Sequence, residues 1–131
     1  MESFVWKESF SIGIGDIDHQ HKIFLGYLND CYLQVSGGRK AQISPAIFNR
    51  LKAYAATHFS FEEELMLSNG YPELDVHKQQ HRYFDAQVLE LEAALLSEGE
   101  KSAESLLAFL RDWYLKHILE QDKRYAPYIK Q

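Results

Sequence analysis

The sequence predicts an all-α protein, an antiparallel up-down-up-down four-helix bundle with an extended N-terminal arm. Two observations predict it. Four segments of the 131-residue chain repeat apolar residues at spacings of three and four, the period of a helix with one buried face. Connectors marked by glycine, proline and asparagine separate the four, and short connectors join antiparallel neighbours in such bundles.

Composition bounds the rest. A chain of 131 residues, 46% hydrophobic and 25% charged, suits one domain over 1–131 that buries a core without disulfides. The net charge of -5 is spread without blocks, which gives no basic footprint for nucleic acid and no polybasic patch for a membrane surface. Cys31 is the one cysteine, so no intrachain disulfide can form, and its place beside Leu28 and Val35 reads as a small core hydrophobe. The N-terminus has no basic region followed by an apolar core, and no apolar run reaches membrane-spanning length. The expectation is a soluble, cytoplasmic monomer.

Residues 1–16 mix Trp6 and Phe10 with Gly13 and Gly15 and show no helical period, the mark of an arm packed on the body. The first helix, about 17–36, has Asp16 or Asp18 as its cap, and Ile17, His21, Phe24, Leu28, Cys31 and Val35 in its seam. Ser36-Gly37-Gly38 stops it. Ser44-Pro45 opens the second, about 45–69, with a capping hydroxyl and a proline at the first helical position. Its seam is Ile47, Leu51, Tyr54, His58, Glu62 and Leu65, and Asn69-Gly70 ends it. The third, about 74–97, follows Pro72 and turns Leu74, His77, His81, Phe84, Val88, Leu91 and Leu95 inward, with Gly99 beyond it. The fourth, about 102–124, takes Ser102 as its cap and Leu106, Leu110, Trp113 and His117 as its seam, with Asp122 a turn further on and Pro127 as its limit.

Five of the six histidines, His21, His58, His77, His81 and His117, thus occupy core positions, joined by Glu62 and by Asp122 near the same level. A buried polar group without a partner costs a few kcal/mol, and several together would consume most of a domain's net stability of about 5–15 kcal/mol. Each residue alone reads as a hydrogen-bonded core group; the set requires one common partner. His19, two residues from His21, points elsewhere and faces solvent. Thiolates are absent and the nitrogens exclude all-oxygen coordination, so the donor set suits transition ions. Seven donors exceed what one ion takes from a protein, and two ions bridged by carboxylates fit. Iron is the natural occupant of mixed imidazole and carboxylate sites, although Mn, Co or Zn are admitted by ligand type. One awkwardness remains: five residues of α-helix turn about 500°, leaving Asp122 some 140° from His117, so a local irregularity is expected between them.

The chain resembles the hemerythrin family, and within it the stand-alone bacterial members. The resemblance is carried by Ile17-Asp18-His19-Gln20-His21-Lys22, His58-Phe59-Ser60-Phe61-Glu62-Glu63, Gly70-Tyr71-Pro72 leading to His77 and His81, and Trp113 with His117-Ile118 through Asp122. It implies two iron ions with a bridging oxo or hydroxo group, one held by His77, His81 and His117 and the other by His21 and His58, with Glu62 and Asp122 bridging. The first iron is then full at six ligands, and the second keeps one open position for O2. The implied function is reversible O2 carriage or storage, with O2 bound as hydroperoxide at the five-coordinate iron, in a protein that is not an enzyme and that supplies an oxygen-consuming enzyme. Phe24, Phe59, Trp113, Tyr114 and Ile118 would form the apolar pocket around the open position, with ordinary core packing as the alternative. Tyr114 departs from the family pattern, standing where many relatives carry Leu. Competing readings are a di-iron oxidase or peroxidase, against which the excess of imidazole over carboxylate argues, and an O2 or iron sensor. Histidine phosphotransfer needs an exposed histidine, which only His19 offers.

Overall fold

A computed structural model of the chain describes residues 5–36, 45–98 and 100–130. Helix α1 runs over Gly15–Ser36, α2 over Ala46–Ser68, α3 over Leu74–Glu98 and α4 over Glu100–Asp112. A π-helical stretch, Trp113–Gln121, continues α4 directly and passes into the short α5, Asp122–Tyr125, and a 3-10 turn at Ala126–Tyr128. Helix α1 packs on α2 and α4, and α3 packs on the same two, which closes a four-helix bundle in which chain neighbours are neighbours in space. No strand occurs among the described residues.

The seams face inward as their periods predict. On α1, Ile17, His21, Phe24, Leu28, Cys31 and Val35 are all buried. On α2, Leu65 is only half-buried and Met66 takes the last inward place. Cys31 is fully enclosed and burial pushes its thiol up to about 12, as expected of a small core side chain. The core has two apolar parts. The larger gathers Phe24, Leu28, Leu51, Phe84, Leu106, Leu110 and their neighbours, and the smaller gathers Ile12, Ile14, Ile17, Met66, Tyr71, Tyr125 and Ile129. Along each helix the buried polar residues fall between these two parts, so the polar layer is sealed at both ends by hydrocarbon.

The structure corrects several boundaries. The fourth helix begins at Glu100, which puts Ser102 inside its first turn instead of at its cap, and it is not one α-helix through 124. Asp18 does not cap α1. It lies in the first turn and reaches back to the arm, accepting the Ser11 hydroxyl and, at 2.9 Å, the Ile12 backbone N–H. The arm is not extended throughout, since Glu8–Phe10 forms a 3-10 turn that sets Phe10 edge-on against Trp6 at 5.8 Å and Tyr114 at 5.7 Å. At the end of α2, Gly70 takes φ +69°, a left-handed conformation that suits glycine, while Asn69 bonds the Leu65 carbonyl through both its backbone and side-chain N–H. Pro45 precedes the first residue of α2. Gly37, Gly38, Ser44 and Gly99 lie outside the described residues.

Candidate metal centre

The polar layer is built one helix at a time. A spacing of four places His58 over Glu62 on α2 and His77 over His81 on α3, because four residues make a little more than one turn. His21 comes from the first third of α1. His117 and Asp122, five apart, come from the last segment, and there the α period cannot align them. The π-helix does: its hydrogen bonds run from residue i to i+5, and the Asp122 N–H bonds to the His117 carbonyl. The irregularity expected between these residues is therefore a nine-residue π-helical stretch.

All seven residues are at most 4% exposed. Asp122 lies 3.0 Å from His21 Nε2 through Oδ2, and through Oδ1 it lies 2.9 Å from His77 Nε2 and 3.1 Å from His117 Nε2. Glu62 Oε1 lies 3.0 Å from His58 Nε2 and 3.3 Å from His81 Nε2. The donor atoms form two groups, each within 4.8 Å: Glu62, His77, His81, His117 and Asp122, and then His21, His58, Glu62 and Asp122. Both carboxylates belong to both groups.

These contacts are close without being hydrogen bonds. The Nε2 atoms of His21, His77, His81 and His117, together with Glu62 Oε1 and both Asp122 oxygens, are buried with no hydrogen-bond partner among the described residues. Buried polar atoms in native proteins are normally paired, and a cluster of unpaired lone-pair donors aimed at a common volume fits metal ligation. Five nitrogens and carboxylate oxygens, with no sulfur, are the donor chemistry of iron and its first-row neighbours. Burial opposes ionisation of Glu62 and Asp122, and at Glu62 so does the charge of Asp122. The imidazoles around them, His58 and His81 at Glu62 and His117, His21 and His77 at Asp122, nevertheless hold both carboxyls below the usual carboxylate range.

A second layer orients the donors. His81 Nδ1 meets Glu63 Oε2 at 2.7 Å, and His58 Nδ1 meets Gln20 Oε1. With Nδ1–H engaged, Nε2 is left as the lone-pair nitrogen. The Tyr125 hydroxyl donates to Glu62 Oε2 at 2.5 Å. Gln20 and Glu63 stand within the motifs that carry the family resemblance, but their roles, like that of Tyr125, are not legible in the sequence. Two of them adjoin a donor in sequence, yet Gln20 serves a histidine on α2 and Glu63 one on α3, so their neighbours in the chain do not reveal them.

Aromatic rings close the layer. Phe59 stacks on His81 at 3.8 Å, Trp113 on His117 at 4.0 Å and Tyr54 on His58 at 4.9 Å. Phe24 packs on Tyr54 at 5.4 Å and parallel to Tyr114 at 6.3 Å, and Ile118 is buried in the same apolar part of the core. Phe59 and Trp113 thus lie against the three-histidine group, and Tyr54 lies against the two-histidine group. Tyr114 is fully buried, and burial pushes its phenol well above its ordinary value. His19 is exposed and takes no part.

Comparison with known proteins identifies the family and the fold. The family model of the hemerythrin HHE cation binding domain matches residues 12–129. A bacteriohemerythrin of Stenotrophomonas maltophilia is 33% identical over 130 residues, 99% of this chain and 84% of that protein. One from Clostridium acetobutylicum is 32% identical over 126 residues, covering 93% and 98%. A crystal structure of a leucine-to-alanine variant of a hemerythrin superposes with a TM-score of 0.80 at 25% identity, over the whole of both chains.

Proposed function

The chain belongs to the hemerythrin family, and from that premise we propose that it binds O2 reversibly at two iron ions. His77, His81 and His117 would hold one and His21 and His58 the other, with Glu62 and Asp122 shared. When bound, the two ferrous ions would supply the two electrons that O2 takes up and gives back. The observation that carries the proposal is the overlap of the two donor groups. Sharing both carboxylates would let Glu62 and Asp122 serve both ions, and with one imidazole fewer the second group would leave its ion a position for a diatomic ligand.

The chain's own residues set the conditions for reversibility. Glu63 and Gln20 fix the tautomers of His81 and His58, so that Nε2 is left without a proton and could ligate a metal. Tyr125 occupies Glu62 Oε2 and holds that carboxylate in place. Phe24, Tyr54, Phe59, Trp113, Tyr114 and Ile118 exclude water from a layer already sealed above and below, and water would carry in the protons that convert bound O2 irreversibly.

A centre with five imidazoles and two carboxylates favours binding over oxidase or peroxidase chemistry, for which carboxylate-rich sites are suited. The reading is completed by a monomeric carrier in the cytoplasm that delivers O2 to an oxygen-consuming enzyme. No helix among the described residues is long and apolar enough to cross a membrane. The test is to mix the iron-loaded, reduced protein with O2 and follow the visible spectrum. A charge-transfer band that appears with O2 and vanishes on deoxygenation is expected. Irreversible oxidation on first exposure, or sustained turnover of a peroxidase substrate, would overturn the carrier reading.

A further inference from the structure

On the outer side of the three-histidine group, α3 and the α4–π segment frame a cleft of about 530 Å³. That volume lies in the range of small-molecule sites, roughly 300–1,000 Å³. Its walls carry Tyr83, Phe109 and Trp113, and its polar groups include Gln80, Asp112 and Lys116. Tyr83 is 57% exposed, one of the large apolar side chains that the bundle leaves uncovered. The rings form a continuous series. Tyr83 and Phe109 are 6.2 Å apart, Phe109 and Trp113 6.4 Å, and Trp113 stacks on His117 at 4.0 Å with 12° between the planes. The cleft therefore runs from solvent to the back of a metal-donor imidazole. In its wall the Gln80 side-chain oxygen is shielded from solvent with no hydrogen-bond partner among the described residues.

We propose that this cleft binds a planar, reducible nitrogen heterocycle of the isoalloxazine type, which returns the oxidised centre to its O2-binding state. The inference rests on the di-iron reading above and names the reductant's chemistry. A flat ring matches the aromatic walls, and an isoalloxazine carries an alternating N–H and C=O edge that would satisfy the Gln80 amide. Lys116 and Asp112 line the same cleft with opposite charges, so the site suits the neutral, fully reduced form of such a ring. The fully reduced ring gives up two electrons and two protons and becomes the oxidised ring. One electron would go to each ferric ion by way of Trp113 and His117, and the two protons would leave at the open mouth.

Riboflavin is the probe, titrated anaerobically into the iron-loaded protein while its fluorescence is followed. Saturable quenching at one riboflavin per chain is expected, since the ring would lie against Trp113. Gln80→Leu and Tyr83→Glu are each expected to weaken binding about tenfold, the effect of one buried hydrogen bond or one lost stacking face. Reduced riboflavin should reduce the diferric protein at a rate that saturates with its concentration and falls about tenfold in Tyr83→Glu. Absence of saturable quenching, or unchanged binding in both variants, would overturn the site. A reduction rate that rises linearly and is equal in the variant would overturn its electron-transfer role. Binding is read on the flavin and not on O2, so loss of the reversible O2 spectrum overturns the carrier reading alone.

Discussion

His117 and Asp122 meet twice: the Asp122 backbone N–H bonds to the His117 carbonyl five residues back, and the Asp122 carboxylate lies 3.1 Å from His117 Nε2. Both contacts follow from the π-helical turn. In an α-helix the two side chains would diverge by about 140° and Asp122 could not join the polar layer from the same face. The cost of a wider, less common helical turn is offset by placing a second buried carboxylate, beside Glu62, within 3.1 Å of three imidazoles.

Asp122 should be the residue whose loss is felt by both metal positions, because its two oxygens face His21 on one side and His77 and His117 on the other. Asp122→Ala is expected to lower iron content below one ion per chain and to depress Tm markedly, since three buried imidazoles lose their partner. Metal analysis and thermal unfolding of the purified variant check both. Retention of two irons would remove Asp122 from the ligand set.

Glu63 and Gln20 orient histidines of different donor groups, so their variants should separate the two ions. Glu63→Leu is expected to speed chelator-driven release of one ion by about 10- to 100-fold, and Gln20→Leu to do so for the other, the usual range for removing the group behind a ligating histidine. Biphasic release kinetics in each variant, with one phase unchanged from the parent protein, is the expected signature. Two phases accelerated equally by either change would show that the groups are not independent.

Tyr114 puts a hydroxyl between Phe10 and Phe24, in a shell that also holds Tyr54, and burial keeps that phenol protonated at all ordinary pH. A neutral donor there can support proton delivery to bound O2. Tyr114→Leu is therefore expected to slow autoxidation several-fold, read as decay of the oxygenated spectrum, with at most about 1–2 kcal/mol change in stability from the altered packing. An unchanged or faster decay would leave Tyr114 as a packing residue.

Stripped of metal, the protein should be most stable at mildly acidic pH. Glu62 and Asp122 have carboxyls held below their ordinary range, so their contribution is present above about pH 4 and is lost as pH falls toward the native values. At His21 and His81 burial opposes the charged imidazole, but the close carboxylates of Asp122 and Glu62 respectively outweigh it and raise both. Their contribution is present below about pH 6.5 and is lost as pH rises through the native values. His117, pushed down mainly by burial, works in the opposite direction and narrows the acid side of the window. Tm of the metal-free protein measured from pH 3 to 9 should peak between about pH 4 and 7. In the loaded protein, protons compete with metal for the imidazoles, so the low-pH side should show metal loss. A metal-free Tm that climbs steadily to pH 9 would contradict the ion-pair network.

The four amphipathic segments and the inward positions of His21, His58, Glu62, His77, His81 and His117 were legible in the sequence by itself. The signal is local: with 3.6 residues per turn, spacings of three and four state which face each residue occupies, whatever it later meets. Asp122 was legible only as a conflict with that period. The tertiary structure decided how the conflict resolves, because a π-helical turn becomes favourable only when the partners it brings together stand on other helices. For the same reason, Gln20 behind His58, Glu63 behind His81, Tyr125 on Glu62 and the cleft beside Trp113 had no sequence signature. A helical period records the direction a side chain leaves its own axis; the group it reaches across the bundle depends on how the helices are placed against one another.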